Sequence, residues 1–207
     1  EDYIQNVRTF DLFRPDSSIE ATLESSDLLP SATATYIAGN HQFRFGYSET
    51  TSRPDFRELS PATFTNPLTG YEVVGNPNLQ AASIKNYDLR WEWYFSSLDS
   101  LSLGVFMKEF DSPIESVVQP GANSARSYVN AESAENQGIE FEARKQFDFL
   151  GARWENFYVS SNVSYITSDV TIGEQDQNIL TNSSRPLQGQ SDWLFNGQFG
   201  YDSYDGL

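Results

Sequence analysis

Two glutamates two residues apart, Glu140 and Glu142, form the arrangement in this chain closest to a catalytic site. On an extended strand they share a face, and paired carboxylates are what acid/base cleavage of a glycosidic bond requires. Arg90 and Arg144 fall on neighbouring polar faces, however, and guanidinium groups within reach turn such a pair into charge-balanced lining. His41, the sole histidine, stands beside a Gly39-Asn40 turn and reads as a wet surface residue, because a metal site needs further ligands nearby. Glu174, Asp176 and Asn178 offer oxygens to a calcium ion, but the glycine turn and closing glutamate of a calcium loop are absent. Asn162-Val163-Ser164 and Asn182-Ser183-Ser184 match the glycosylation pattern; the first lies inside a strand, and both are discounted. No Ser-His-Asp constellation, phosphate-cradling glycine loop or dinucleotide fingerprint occurs. No catalytic residue, metal ligand or cofactor is assigned, and the chain is not expected to be an enzyme.

Composition narrows the partners. The chain has 207 residues, 14% of them aromatic, no cysteine and a formal net charge of −16. With 13 Lys and Arg against 29 Asp and Glu, it lacks the basic surface that phosphate binding demands, which excludes nucleic acid. Absence of cysteine removes disulfides, thiolate metal sites and sulfur nucleophiles. No apolar run of about 18 residues could cross a bilayer as a helix. The opening residues have no basic region followed by an apolar core, so they are not a signal peptide. Glu1 opens inside a polar stretch and Tyr204-Asp205-Gly206-Leu207 reads as a turn, so the chain is expected to be a piece of a longer protein.

The polar residues above are positioned by two-period strands. The stretch NYDLRWEWYF, residues 86–95, places Tyr87, Leu89, Trp91, Trp93 and Phe95 on one side and Asp88, Arg90, Glu92 and Tyr94 on the other. Similar alternation marks strands at residues 32–37, 41–50, 137–147, 154–167 and 191–201, and another carrying Leu101, Leu103, Val105 and Met107. The opening through Phe10 reads as the end of a strand, and residues 11–27, with Pro15 and several serines, as an exposed loop. Short turns at Gly39-Asn40 and at residues 97–100 and 148–153 alternate with long connections at 51–83, 112–131 and 169–187. The second long connection has room for short strands at 114–119 and 125–129. About seven or eight strands, near the roughly 9–11 residues that a tilted membrane strand needs, give an all-β antiparallel meander. The class expected is a partial transmembrane β-barrel with short periplasmic turns and long extracellular loops. The alternative is a soluble all-β adhesive or carbohydrate-binding module in which the aromatic faces meet a second sheet as core.

Blocks of sequence then narrow the choice. Ser52-Arg53-Pro54-Asp55-Phe56-Arg57-Glu58-Leu59-Ser60-Pro61 comes first, then Gly75-Asn76-Pro77-Asn78-Leu79, then NYDLRWEWYF with FMKEFDSPIE at 106–115. Asn130-Ala131-Glu132 and Gly138-Ile139-Glu140 follow. In order and spacing they resemble the C-terminal half of the barrel of TonB-dependent receptors, active transporters of Gram-negative outer membranes, over most of residues 28–201. The resemblance implies a barrel of roughly 22 strands with a plugged lumen, energised through a TonB box. Residues 1–207 are then one partial-barrel domain, with plug, TonB box and final strands outside it. The partners implied are outer-membrane lipid, the receptor's own plug and remaining strands, the TonB complex and a small-molecule ligand, namely a ferric siderophore, cobalamin, a glycan or a peptide. On this reading Arg53 and Pro54 end a rising strand, the Gly-Asn-Pro group kinks the returning loop, and Arg90 and Glu92 face the lumen. Loop residues Phe56, Phe64, Tyr71, Asn76 and Asn123 are the candidate ligand contacts. One geometric expectation joins both halves: Trp91, Trp93 and Phe95 should share a face with Phe43, Phe45, Leu103, Phe141 and Val159, with Arg44, Arg90, Glu92 and Glu142 opposite.

Overall fold

Apolar and polar side chains that alternate residue by residue suit a sheet ladder in which every strand has one greasy and one wet face. The computed structural model describes residues 1–11, 14–68, 70–118, 125–173 and 184–202. The chain opens with a separate hairpin, β1 (Asp2–Asp11) and β2 (Arg14–Ser26). β3 (Ser31–Ala38) and β4 (His41–Ser52) follow, joined through Gly39, whose φ of 60° suits a two-residue hairpin turn. Next come helix α1 (Phe56–Leu59), β5 (Thr63–Thr65) and β6 (Glu72–Val74), then β7 (Ala82–Tyr94) and β8 (Ser100–Asp111). β9 (Ile114–Val118), β10 (Arg126–Asn130), β11 (Ser133–Gln146), β12 (Phe157–Thr171), β13 (Ser184–Arg185) and β14 (Trp193–Tyr201) complete the described strands.

The main sheet runs β13-β12-β11-β8-β7-β4-β3, with β14 also paired to β12, and all its pairings are antiparallel. Its seven long strands meet the expected meander. Register fixes the faces. One row reads Phe43, Trp91, Leu103, Phe141, Val163, Phe195 across six strands. The adjacent row reads Gln42, Glu92, Ser102, Glu142, Asn162, Asn196. Because successive residues point to opposite sides, these rows lie on opposite faces, and the geometric expectation holds.

The long connections gather at one end of this sheet and fold upon one another. β5, β6, β10 and β9 make a second sheet in that order. Ala21 and Leu23 of β2 pack with Leu59 and Leu79, and Tyr3, Val7, Ile114 and Tyr128 surround them. A second cluster, Ala131, Ala134, Val170 and Ile172 with Phe110 and Leu187, sits where the wall strands meet these loops. We call this end the cap and the seven long strands of the main sheet the wall.

Two sequence expectations need correction here. Residues 14–26 are not an exposed loop but a strand. The opening strand pairs with it and not with the wall. Small residues concealed the alternation: Ala21 and Leu23 are buried while Thr22 and Glu24 are exposed, but with serines and Pro15 around them the stretch carries the composition of a turn. The connection after β4 is likewise folded. Asp55 caps α1 by accepting the Phe56 N–H at 2.6 Å, and the Glu58 carboxylate accepts the Asp55 N–H at 2.8 Å, a reciprocal capping box. The Gly-Asn-Pro group then straps across that helix: the Gly75 N–H donates to the Ser60 carbonyl at 3.0 Å and the Asn76 N–H to the Glu58 carbonyl at 2.6 Å. A Cβ on Gly75 would stand 2.5 Å from the Arg57 carbonyl oxygen, so only glycine passes there.

Candidate functional site

The wet face of the wall is held by charge pairing across strands. Arg44 and Arg90 stand directly opposite each other, a repulsive juxtaposition that Glu92 relieves by accepting from Arg44 at 3.4 Å and from Arg90 Nε at 3.1 Å. Arg90 Nη2 reaches Glu142 Oε2 at 2.5 Å, and Ser102 and Asn162 donate to the same carboxylate. These groups line a 470 Å³ concavity with Tyr94, Arg144, Asn196 and Gln198. Glu142 is thus surrounded by donors, whereas Glu140 faces a separate 280 Å³ dent beside Gly104, Phe106 and Asp88. The two glutamates share a face but not a focus, and the arrangement is polar lining. Arg144 lines the same concavity but stacks 4.1 Å over the Tyr158 ring. Phe106 is one of the large apolar residues on this face; its ring covers Gly138, where an added Cβ would come within 2.7 Å of it.

The opposite face has no covering layer among the described residues. Leu89 and Ile139 are each 51% exposed there. Aromatic rings close the apolar band at both ends. At the long-connection end Tyr47 meets Tyr87 at 5.3 Å and Tyr165 meets Trp193 at 4.7 Å. At the short-turn end Trp93–Phe95, Trp154–Phe157 and Phe157–Phe199 lie 5.0, 5.4 and 5.6 Å apart. From Phe157 to Tyr165 the strand runs about 26 Å at ~3.3 Å per residue, or roughly 20 Å of height at a membrane strand's tilt. Above the upper girdle comes a charged row, Glu49, Lys85, Glu109, Glu135 and Asp169, so the apolar band ends there.

His41 belongs to the lower girdle and is not a simple wet surface residue. Its ring stacks 5.9 Å from Trp91 and 5.8 Å from Trp93, and Trp91 Nε1 donates to its Nδ1 at 3.3 Å. At the same end Asp99 is buried and accepts from Lys145 Nζ at 2.5 Å and from the Gln146 N–H at 2.7 Å. Burial alone would raise its carboxyl, but the Gln146 N–H, the Lys145 ammonium and the Ser96 hydroxyl outweigh it and hold the pKa below the usual carboxylate value.

The candidate ligand contacts fall in the cap, with unequal prospects. Phe56 is exposed at the start of α1. Phe64 is half-buried with the Arg57 guanidinium 5.4 Å from its ring centre, and exposed Tyr71 has Arg126 at 4.8 Å. Asn76 is engaged structurally: its Nδ2 donates to the Tyr128 carbonyl at 2.9 Å and its Oδ1 accepts the Asn78 N–H at 3.0 Å. Asn123 lies outside the described residues, as do Glu174, Asp176 and Asn178. Beneath these groups burial raises the Tyr128 phenol, with help from the Glu58 and Asp55 carboxylates. Sequence reading missed the ties that lock the loops together. Arg185 Nη2 meets buried Glu115 at 2.6 Å, and Arg53 lies over Tyr3 while facing Glu1 and Asp27. Arg53 was legible as the end of a rising strand, but no local signal named its partners.

Comparison with known proteins fits this geometry. Among curated proteins nothing matches. Among solved structures the fold is similar to the hemophore receptor HasR of Serratia marcescens in complex with HasA and heme. That likeness has a TM-score of 0.60 at 11% identity, over 99% of this chain and 37% of that one. It is similar to the ferric enterobactin receptor PfeA of Pseudomonas aeruginosa in complex with enterobactin, with 0.59 at 15%, over 91% and 28%. The siderophore receptor PirA of Pseudomonas aeruginosa gives 0.56 at 19%, over 75% and 32%. The chain thus spans about a third of the length of these structures. Residues 3–206 match the family described as TonB dependent receptor-like, beta-barrel, and the chain belongs to that family of outer-membrane barrels.

Proposed function

We propose that residues 1–207 are a partial-barrel domain, the wall and outer loops of a receptor that takes up a scarce small-molecule ligand with TonB-coupled energy. On this reading the plug, the TonB-contacting segment and the remaining strands belong to parts of the receptor outside this sequence, and lipid covers the apolar face. The observation that carries the proposal is the pair of adjacent rows, one apolar and one polar, across six strands in a chain of this family. A soluble adhesive or carbohydrate-binding module draws no support, because its sandwich would bury the aromatic face under a second sheet. The siderophore, heme and enterobactin named for the similar structures support an iron chelate as cargo ahead of cobalamin, glycans or peptides. Phe56, Phe64 and Tyr71 remain the loop contacts best disposed to meet it, and Asn123 stays a candidate on its sequence alone.

The test is accumulation by cells carrying the full-length receptor in a host stripped of its own outer-membrane receptors. Radio-iron chelates, heme, labelled cobalamin and labelled oligosaccharides are offered in turn. Receptor-dependent uptake of an iron chelate that disappears when TonB is deleted is the expected result. Uptake indifferent to TonB would overturn the energy coupling, and uptake of cobalamin or oligosaccharide alone would overturn the cargo class.

A further inference from the structure

Two of the cap's arginines are left over by its internal chemistry. Arg53 and Arg185 face carboxylates. Arg57 and Arg126 face none among the described residues; each guanidinium lies over an aromatic ring instead, Arg57 over Phe64 and Arg126 over Tyr71. The reasons are local. The acids nearest Arg57 in sequence, Asp55 and Glu58, are turned into the capping box of α1. Glu72 alternates with Val73 and so lies on the other side of the small sheet from Arg126, which pairs with Val73.

The sheet also brings the two cations to one face. Phe64 is opposite Val73, and Val73 is opposite Arg126, so the three form a row across β5, β6 and β10. Val73 is buried in the middle. The backbones of Phe64 and Arg126 are therefore about 10 Å apart, two strand spacings, and the Arg57 guanidinium lies over the Phe64 ring. A 380 Å³ hollow opens beside Arg57 and Phe64, floored by Ala62 and Pro67. An aromatic ring behind a guanidinium orients it without consuming its N–H donors. In a chain of net charge −16, two cations that form no ion pair among the described residues, with Asp55 and Glu58 held in the helix cap, suit an anion from outside.

We propose that Arg57 and Arg126 form a two-point site for an anionic ligand, one that carries two separated negatively charged oxygen groups on a flat apolar body. The proposal rests on the cap being the ligand-facing end of the receptor, and it assigns the charge and shape of what that end accepts. The rings of Phe64 and Tyr71 then act by backing the arginines.

The probe is naphthalene-2,6-dicarboxylate, with its uncharged diamide as the control, titrated into the detergent-solubilised full-length receptor. The dicarboxylate is expected to bind, to weaken as salt rises, and to lose about tenfold or more in affinity in Arg57→Gln and in Arg126→Gln. Arg57→Lys and Arg126→Lys should restore part of that loss, and unchanged heat-modifiable gel mobility identifies variants that still fold. Equal binding of dicarboxylate and diamide, or wild-type affinity in both glutamine variants, would overturn the site. Uptake measured on the same variants keeps the two readings apart. Arginine-dependent binding without any uptake sinks the transport reading alone, whereas TonB-dependent uptake with arginine-indifferent binding sinks this one alone.

Discussion

Leu103 and Leu59 are both leucines in sheet-rich surroundings, yet the first leaves 42% of its surface exposed and the second 1%. Leu103 sits in the apolar row of the wall, where every neighbour on its face is apolar too and no protein layer covers them. Leu59 ends a one-turn helix and is enclosed by a hairpin and a loop drawn from distant parts of the chain. The wall has no core of its own: backbone ladders hold it, and its apolar face needs a solvent other than water. The cap is built as a small soluble domain, with a packed centre and buried ion pairs. One chain therefore obeys opposite burial rules at its two ends, and exposure of a leucine means a fault in one and fitness in the other.

The comparison breaks hardest at its two leucines. Leu59→Ala should cost about 2–5 kcal/mol, confined to the cap. The expected readout is rapid proteolysis of the outer loops in lipid with the heat-modifiable mobility of the barrel intact; loss of that mobility would mean that cap and wall are one cooperative unit. Leu103→Arg should cost about 2–4 kcal/mol in the full barrel, measured by denaturant titration in lipid, and Ser102→Arg on the wet face clearly less. Equal costs would put both faces in the same medium and erase the distinction.

Gly138→Ala tests the wet face from within. The new methyl would meet the Phe106 ring at 2.7 Å and the Tyr165 carbonyl at 2.9 Å. The ring can swing but the carbonyl cannot, so a loss of roughly 1–3 kcal/mol is expected, with partial recovery in Gly138→Ala/Phe106→Leu. The smallest effect belongs to Asp99. Its folded pKa lies below the unfolded value, so its contribution is complete above about pH 4 and is lost as pH falls through the folded pKa. Asp99→Asn should flatten the acid limb of a stability-against-pH curve and leave the part near neutral pH with the wild-type slope. An unaltered acid limb would show that the ion pair with Lys145 contributes nothing measurable.

How much of this was readable in the sequence follows from the same contrast. The wall was legible because its signal is local. Trp91, Trp93 and Phe95 declare a face by their spacing alone, and the short-turn, long-loop rhythm gave the topology. Its strands simply run further than the alternation indicated, β7 beginning at Ala82 and β11 at Ser133, because the polar ends near the cap pair on both faces without an apolar stripe. The cap was not legible, since its ties join residues far apart. Glu115 and Arg185 are 70 positions from each other, and Asn76 binds a carbonyl 52 positions on. Asn76 looked like a ligand amide from its loop; only the partner across the sheet reveals a strut. Arg57 and Arg126 escaped notice for the converse reason. Their character lies in the carboxylates they lack, which a sequence full of Asp and Glu conceals.

The pairing of Val73 with Arg126 is parallel, whereas every other strand pairing described is antiparallel. A parallel pair cannot close through a tight turn, and here the intervening chain contains β7, β8 and β9. The order of assembly follows. β5 and β6 can form their hairpin early, but they must wait for β10, and by then β7 and β8 have had the shorter loop to close and so the faster pairing. The rim of this barrel is finished after its staves have paired, and until then Val73 lacks the strand that completes its side of the small sheet.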